Sequence, residues 1–151
     1  MKLSKRTAVP AFAFMAIGIL VAVAPWTFAP VCEVHTADHP NGLFVITNAN
    51  KTLPMPCGYT ARAEIGVGAG IVAIGGMILF TTTSAVLASL AVVGLALGGM
   101  TVALPTVLTK MCAMSSHTCN TLTAPTLGVL TVGLMLVSVG MIVYRGRFKL
   151  K

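Results

Sequence analysis

The chain has 151 residues, 56% of them hydrophobic and only 9% charged, with a mean hydropathy of +0.94; so little charge excludes an ordinary water-soluble domain and makes a membrane the natural solvent. A chain of this length, spent mostly in the bilayer, has room for one domain with short loops and none for a separate soluble catalytic domain. The formal charge of +7 does not call for nucleic acid, because seven of the ten cations are Lys2, Lys5, Arg6, Arg145, Arg147, Lys149 and Lys151 in the two terminal tails, the pattern of the positive-inside rule rather than of a phosphate-reading surface.

The first apolar run carries no charge from Thr7 to Cys32 and exceeds the ~20 residues that span hydrocarbon, which predicts a first helix over residues 8–31. Pro10 suits its opening turn, Pro25 and Pro30 kink or fray its outer end, and Trp26 anchors at the interface. A cleaved signal peptide is the rival, but the chain begins at Met1 and Phe28-Ala29-Pro30-Val31-Cys32 is a poor lipoprotein cleavage site, so an uncleaved helix is expected. An outer loop over 32–58 follows. From Ile65 to Thr109 there is again no charge, about twice the length of one span, so two helices are expected, over 59–80 and 85–108, with the turn at Thr81-Thr82-Thr83-Ser84. A second outer loop over 109–123 leads to a fourth helix over 124–144, closed by Tyr144 and the basic tail. Four crossings return the chain to its starting side. The expectation is an all-α integral membrane four-helix bundle, one domain over residues 1–151, with both termini cytoplasmic and a short Cys-rich extracytoplasmic cap.

Small residues indicate how such helices pack, since lipid supplies no hydrophobic drive between them and close backbone approach must take its place. Gly66 and Gly70 on the second helix and Gly94 and Gly98 on the third have the small-xxx-small spacing, and a tight antiparallel pairing of these two helices is expected. Gly66-x-Gly68-x-Gly70 lacks the spacing and the preceding strand of a dinucleotide-binding motif.

Every cysteine and histidine falls in the two outer segments: Cys32, His35, His39 and Cys57 in the first, Cys112, His117 and Cys119 in the second, with Met55, Met111 and Met114 beside them. Three chemistries fit. The cysteines can form disulfides, in any of three connectivities, which suits an oxidising exterior and loops too small for a core. Closing Cys32 to Cys57 would contribute ~3–4 kcal/mol. A continuous helix from Cys112 to Cys119 would hold them about 10 Å apart, beyond the ~4.4–6.8 Å a disulfide accepts. Alternatively, thiolate, thioether and imidazole together favour copper or zinc, with His35, His39, Met55, Met111, Met114 and His117 as candidate ligands, although no zinc-finger spacing is present. Finally, four helices with two cysteines in each outer loop resemble the plan of membrane disulfide oxidoreductases that pass electrons to quinone, but without their C-x-x-C pair.

Arg62 and Glu64 are ionisable residues at or within a membrane helix, which by default suggests function. Two apart, they point to opposite sides. Arg62 can snorkel to headgroups, while Glu64 can complement the first turn of the second helix or meet a cation from a partner. No hydrolase pair assembles from Glu33, Asp38 and Glu64. Asn50-Lys51-Thr52 matches a glycosylation sequon that bacterial membranes usually ignore.

Met55-Pro56-Cys57-Gly58-Tyr59-Thr60-Ala61-Arg62-Ala63-Glu64, followed by Met111-Cys112, Cys119 and Thr123-Ala124-Pro125, resembles domain-of-unknown-function family 4418, small bacterial four-helix membrane proteins. Relatives tend to carry a histidine after the first-motif cysteine; this chain has Gly58 there, which counts against a shared metal site. The resemblance implies the bacterial cytoplasmic (inner) membrane, an accessory role near exporter-type ABC transporters and no known catalytic activity. The function expected is therefore a non-enzymatic accessory or binding subunit that presents Arg62, Glu64 and the loops to other membrane subunits. Its surroundings are the lipid bilayer, with no nucleic acid, and no cofactor is specified. A quinone-linked thiol oxidoreductase is the alternative, and a soft-metal binder the third reading.

Overall fold

The computed structural model describes residues 5–31, 44–46, 52–54, 56–81, 83–108 and 118–149. Four α-helices dominate: α1 Lys5–Val23, α2 Pro56–Phe80, α3 Ser84–Ala103 and α4 Ala124–Lys149. Three are prolonged by tighter or looser turns at the end of the bundle that carries Cys57 and Cys119. These are a 3-10 turn at Ala24–Trp26 after α1, a π-helical turn at Leu104–Leu108 after α3, and another at Cys119–Thr123 before α4. Four segments are long and apolar enough to cross a membrane: Thr7–Trp26, Cys57–Phe80, Ser84–Leu108 and Cys119–Tyr144.

Prolines decide several boundaries. Pro25 has no N–H to give the carbonyl one turn earlier, so α-helical geometry stops at Val23 and the helix expected over 8–31 is shorter. Beyond it the chain folds back on Ala24 and Pro25 through Ala29 N–H to the Ala24 carbonyl (2.9 Å) and Val31 N–H to the Pro25 carbonyl (3.3 Å). Pro56 opens α2 ahead of the expected residue 59, since a fixed φ and a missing N–H suit the first helical position. Pro105 lies in the π-helical turn after α3, where loss of an N–H donor and a ring clash disfavour α geometry. Thr83, in extended geometry, stops the turn between α2 and α3 and accepts the Leu87 N–H at 3.2 Å.

The segment between α1 and α2 contains more than a loop. Phe44–Ile46 (β1) and Thr52–Pro54 (β2) pair antiparallel, with Phe44 opposite Pro54, Val45 opposite Leu53 and Ile46 opposite Thr52. This short hairpin is an addition to a fold that is otherwise helical, as expected. Its sequence signal was the run Phe44-Val45-Ile46, followed by a turn-prone stretch containing Asn48 and Asn50.

In the bundle the most extensive helix contacts are α1 with α2 and α3 with α4. Glycines explain the first. A Cβ at Gly68 would stand 2.5 Å from the Gly18 carbonyl oxygen and 2.8 Å from the Ala22 Cβ; one at Gly75 would stand 2.8 Å from the Ala11 carbonyl oxygen. Only glycine permits that backbone approach. The glycine expectation is thereby corrected: Gly66 meets nothing within 4 Å, and Gly70 meets only the Leu97 side chain at 3.3 Å. The seam belongs to Gly18, Gly68 and Gly75, and it joins α2 to α1 rather than to α3. Gly94 and Gly98 are buried, but they accommodate Phe14, Ser138 and Leu134 from α1 and α4.

The apolar core comprises Ala11, Phe14, Val21, Ile71, Ile74, Ile78 and Leu134. Across the second seam the buried hydroxyls of Thr101 and Thr131 hydrogen-bond to one another, and Thr101 also donates to the Gly98 carbonyl at 2.6 Å. Thr131→Val should lower stability by about 0.5–2 kcal/mol in detergent denaturation, and the Thr101→Val/Thr131→Val pair should cost less than the sum of the singles, because removing both hydroxyls leaves no orphan. Strict additivity would show that the two hydroxyls act independently.

Candidate functional site

The end of the bundle where the helices become irregular also gathers the chemistry. Cys57, at the start of α2, and Cys119, opening the π-helical turn before α4, are both buried and form a small cluster with Val31 and Ala61. Their sulfurs stand 3.3 Å apart. A disulfide bond measures about 2.05 Å, so Cys57 and Cys119 touch without being joined. Both had been expected in an exposed outer cap; the structure instead places them inside the bundle at the ends of two spans.

Thr123 fastens this end together. Its buried hydroxyl lies 3.0 Å from the Ala29 carbonyl oxygen and 3.1 Å from that of Pro30, so it donates across the bundle to the segment that follows α1. The Thr123-Ala124-Pro125 motif thus has a structural function, which sequence spacing alone did not reveal.

Glu64 lies on the same inward face of α2. The buried positions Cys57, Thr60, Ala61, Glu64, Gly68, Ile71, Gly75 and Ile78 recur at helical spacing, which turns the carboxylate into the protein. It is 0% exposed, and neither carboxylate oxygen has a hydrogen-bond partner among the described residues. Two expectations are corrected here. Because α2 starts at Pro56 and has no acidic residue in its first turn, Glu64 is too deep to complement the helix end. Its burial within the chain also turns it away from the surface that a neighbouring subunit would meet. Arg62, two residues earlier, is exposed on the other side of the helix, so the two do not pair.

The outer face of α2 is the second notable surface. Arg62, Gly66, Ala69 and Ala73 are exposed in line and Gly76 is half-buried. Neither Gly66 nor Gly76 has any neighbour within 4 Å of where a Cβ would lie, so packing within the chain does not account for their small size.

The other expected site residues, Cys32, Cys112, His35, His39, Met55, Met111, Met114 and His117, lie outside the described residues. Among the described residues no three of His, Cys, Asp and Glu come together as a metal site. Sequence reasoning overlooked the buried hydroxyls of Thr60, Thr101, Thr123, Thr131 and Ser138; the signal was their recurrence on the inward face at helical spacing.

No curated protein and no solved structure matches the chain. The family model described as domain of unknown function (DUF4418) matches residues 14–144, a stretch that takes in the cysteine contact, Glu64 and both faces of α2. A match over so much of the sequence shows that the chain belongs to the DUF4418 family.

Proposed function

We propose that this protein is a non-enzymatic accessory or binding subunit of a larger membrane complex in the bacterial inner membrane, with both termini cytoplasmic and the Cys57–Cys119 end outside. The observation that carries this reading is the outer face of α2. A lipid-facing helix gains contact from large side chains, and here Gly66, Ala69, Ala73 and Gly76 leave a shallow track instead. Such a track allows the backbone of a second helix to approach closely, the main source of helix association where lipid and side chains are equally apolar. Arg62 heads the track, positioned to pair with an acidic group or to reach headgroups. The family resemblance implies an exporter-type ABC transporter as the setting, and the basic tails support the orientation.

Gly66→Leu and Gly76→Leu should abolish co-purification of the partner from native membranes in mild detergent, while the isolated subunit keeps its stability within ~0.5 kcal/mol, as a surface change should. Unchanged co-purification would remove the basis for docking through this face. The 3.3 Å contact between Cys57 and Cys119 favours a second reading, thiol–disulfide exchange with a quinone-linked chain: Cys119 is already disulfide-bonded, and a Cys57 thiolate attacking its sulfur would form the Cys57–Cys119 bond as the existing S–S bond breaks and its other sulfur leaves as thiolate. Reduction of these cysteines by a dithiol, followed by rapid reoxidation in which a quinone takes up the two electrons and becomes the quinol, would select it over the first.

A further inference from the structure

Glu64 has no structural reason to be where it is. A carboxylate enclosed by apolar helices is costly, and in known membrane proteins such groups face the bundle interior and mark ion or proton pathways. Here the carboxylate is fully buried and both its oxygens lack hydrogen-bond partners among the described residues. The spans Thr7–Trp26 and Ser84–Leu108, which provide two of the surrounding helices, contain no Asp, Glu, Lys, Arg or His at all. Of the cysteines on the inward faces, Cys119 is disulfide-bonded and does not titrate, which leaves the Cys57 thiol. No cation of the described spans is therefore placed to neutralise it.

Several buried hydroxyls lie at a similar level of the bundle. Gly70 neighbours Leu97; counted from that contact toward the cysteine end, Glu64 lies about 9 Å and Thr101 about 6 Å up their helices, so their depths differ by about 3 Å. Thr60 is one turn above Glu64 on the same face, and Thr131 is bonded to Thr101. Farther down α4, about 10 Å below Thr131, the Ser138 hydroxyl is, besides the Glu64 carboxylate, a buried side-chain group without a hydrogen-bond partner among the described residues. Irregular helix turns at Ala24–Trp26 and Leu104–Leu108 both contact α2, and irregular backbone at membrane depth is tolerated where it lines a polar or wet interior.

We propose that Glu64 is a proton-binding site within the membrane bundle, loaded from the Cys57–Cys119 end, with Thr60 and the Thr101–Thr131 pair as the hydroxyls that conduct toward it. The exchange is simple acid–base chemistry: hydronium gives its proton to the Glu64 carboxylate, leaving water and a neutral carboxylic acid, and the reverse step releases it. A single carboxyl with buried hydroxyls at similar depth and no second anion among the described residues is suited to a proton, because a bound metal cation would need several further oxygen ligands.

The test uses the full-length protein in nanodiscs and a lipid-soluble carbodiimide, which reacts with protonated carboxyls in apolar surroundings. Mass spectrometry should find the adduct on Glu64, lost in Glu64→Gln and declining as pH is raised. Infrared spectra should independently show a carboxylic-acid C=O band that Glu64→Gln removes and that shifts in D2O. Absence of that band, or its failure to exchange with D2O, overturns the proposal even if the carbodiimide merely fails to reach the site. Protection of Glu64 by sodium or potassium at fixed pH would also overturn it, by assigning the site to a metal cation.

Discussion

Gly68→Leu is expected to separate α1 from α2 and to produce the largest loss of stability of any single change in the bundle. Even a methyl group at position 68 would lie 2.5 Å from the Gly18 carbonyl oxygen and 2.8 Å from the Ala22 backbone nitrogen and Cβ. Backbone cannot move aside as the end of a flexible side chain can. Gly68→Ala should therefore cost about 1–3 kcal/mol, as overpacking of a filled core does, and Gly68→Leu more. Gly66→Ala provides the internal control, since a Cβ there meets nothing within 4 Å. Denaturant titration in detergent should resolve the two positions clearly. Equal effects at 66 and 68 would mean that α2 is rotated from the described orientation.

Glu64→Leu is expected to stabilise the protein, by about 1–3 kcal/mol in the same titration, which few substitutions of a buried residue do. The reason is the absence of any hydrogen bond to either carboxylate oxygen among the described residues. Where a buried polar group has no partner, an apolar side chain of similar size removes a cost and sacrifices nothing. Glu64→Gln should gain less, because its amide would be equally unpartnered. A stabilising substitution that abolishes function is the expected mark of a residue retained for what it does. A loss of stability in Glu64→Leu comparable to that of a core truncation would show instead that the carboxyl serves the fold.

Both expectations concern which side of α2 a residue faces, and this marks the limit of what was legible in the sequence. The four spans were readable because charge is absent from long runs and present in the tails, a property that needs no knowledge of helix rotation. The turn before α3 was readable because Thr81 to Ser84 is the polar interruption of an uncharged run about twice the length of one span. The partner of each glycine was not, since Gly66, Gly68 and Gly70 differ only by rotation about one axis and all lie in apolar sequence. Similarly, Cys57 looked like a loop residue until Pro56 proved to open the helix, which drew both Cys57 and Glu64 inside. The separation of Arg62 from Glu64 did follow from spacing alone. Their distinct environments, one exposed and one buried, agree with it.

The central claim, that the protein works as a subunit held through the outer face of α2, is most directly tested by native mass spectrometry of material extracted from its own membrane in mild detergent. The account predicts a complex with a different membrane polypeptide for the wild type, and the free subunit alone for Gly66→Leu. A wild-type protein that emerges only as a lone, stable monomer would contradict it.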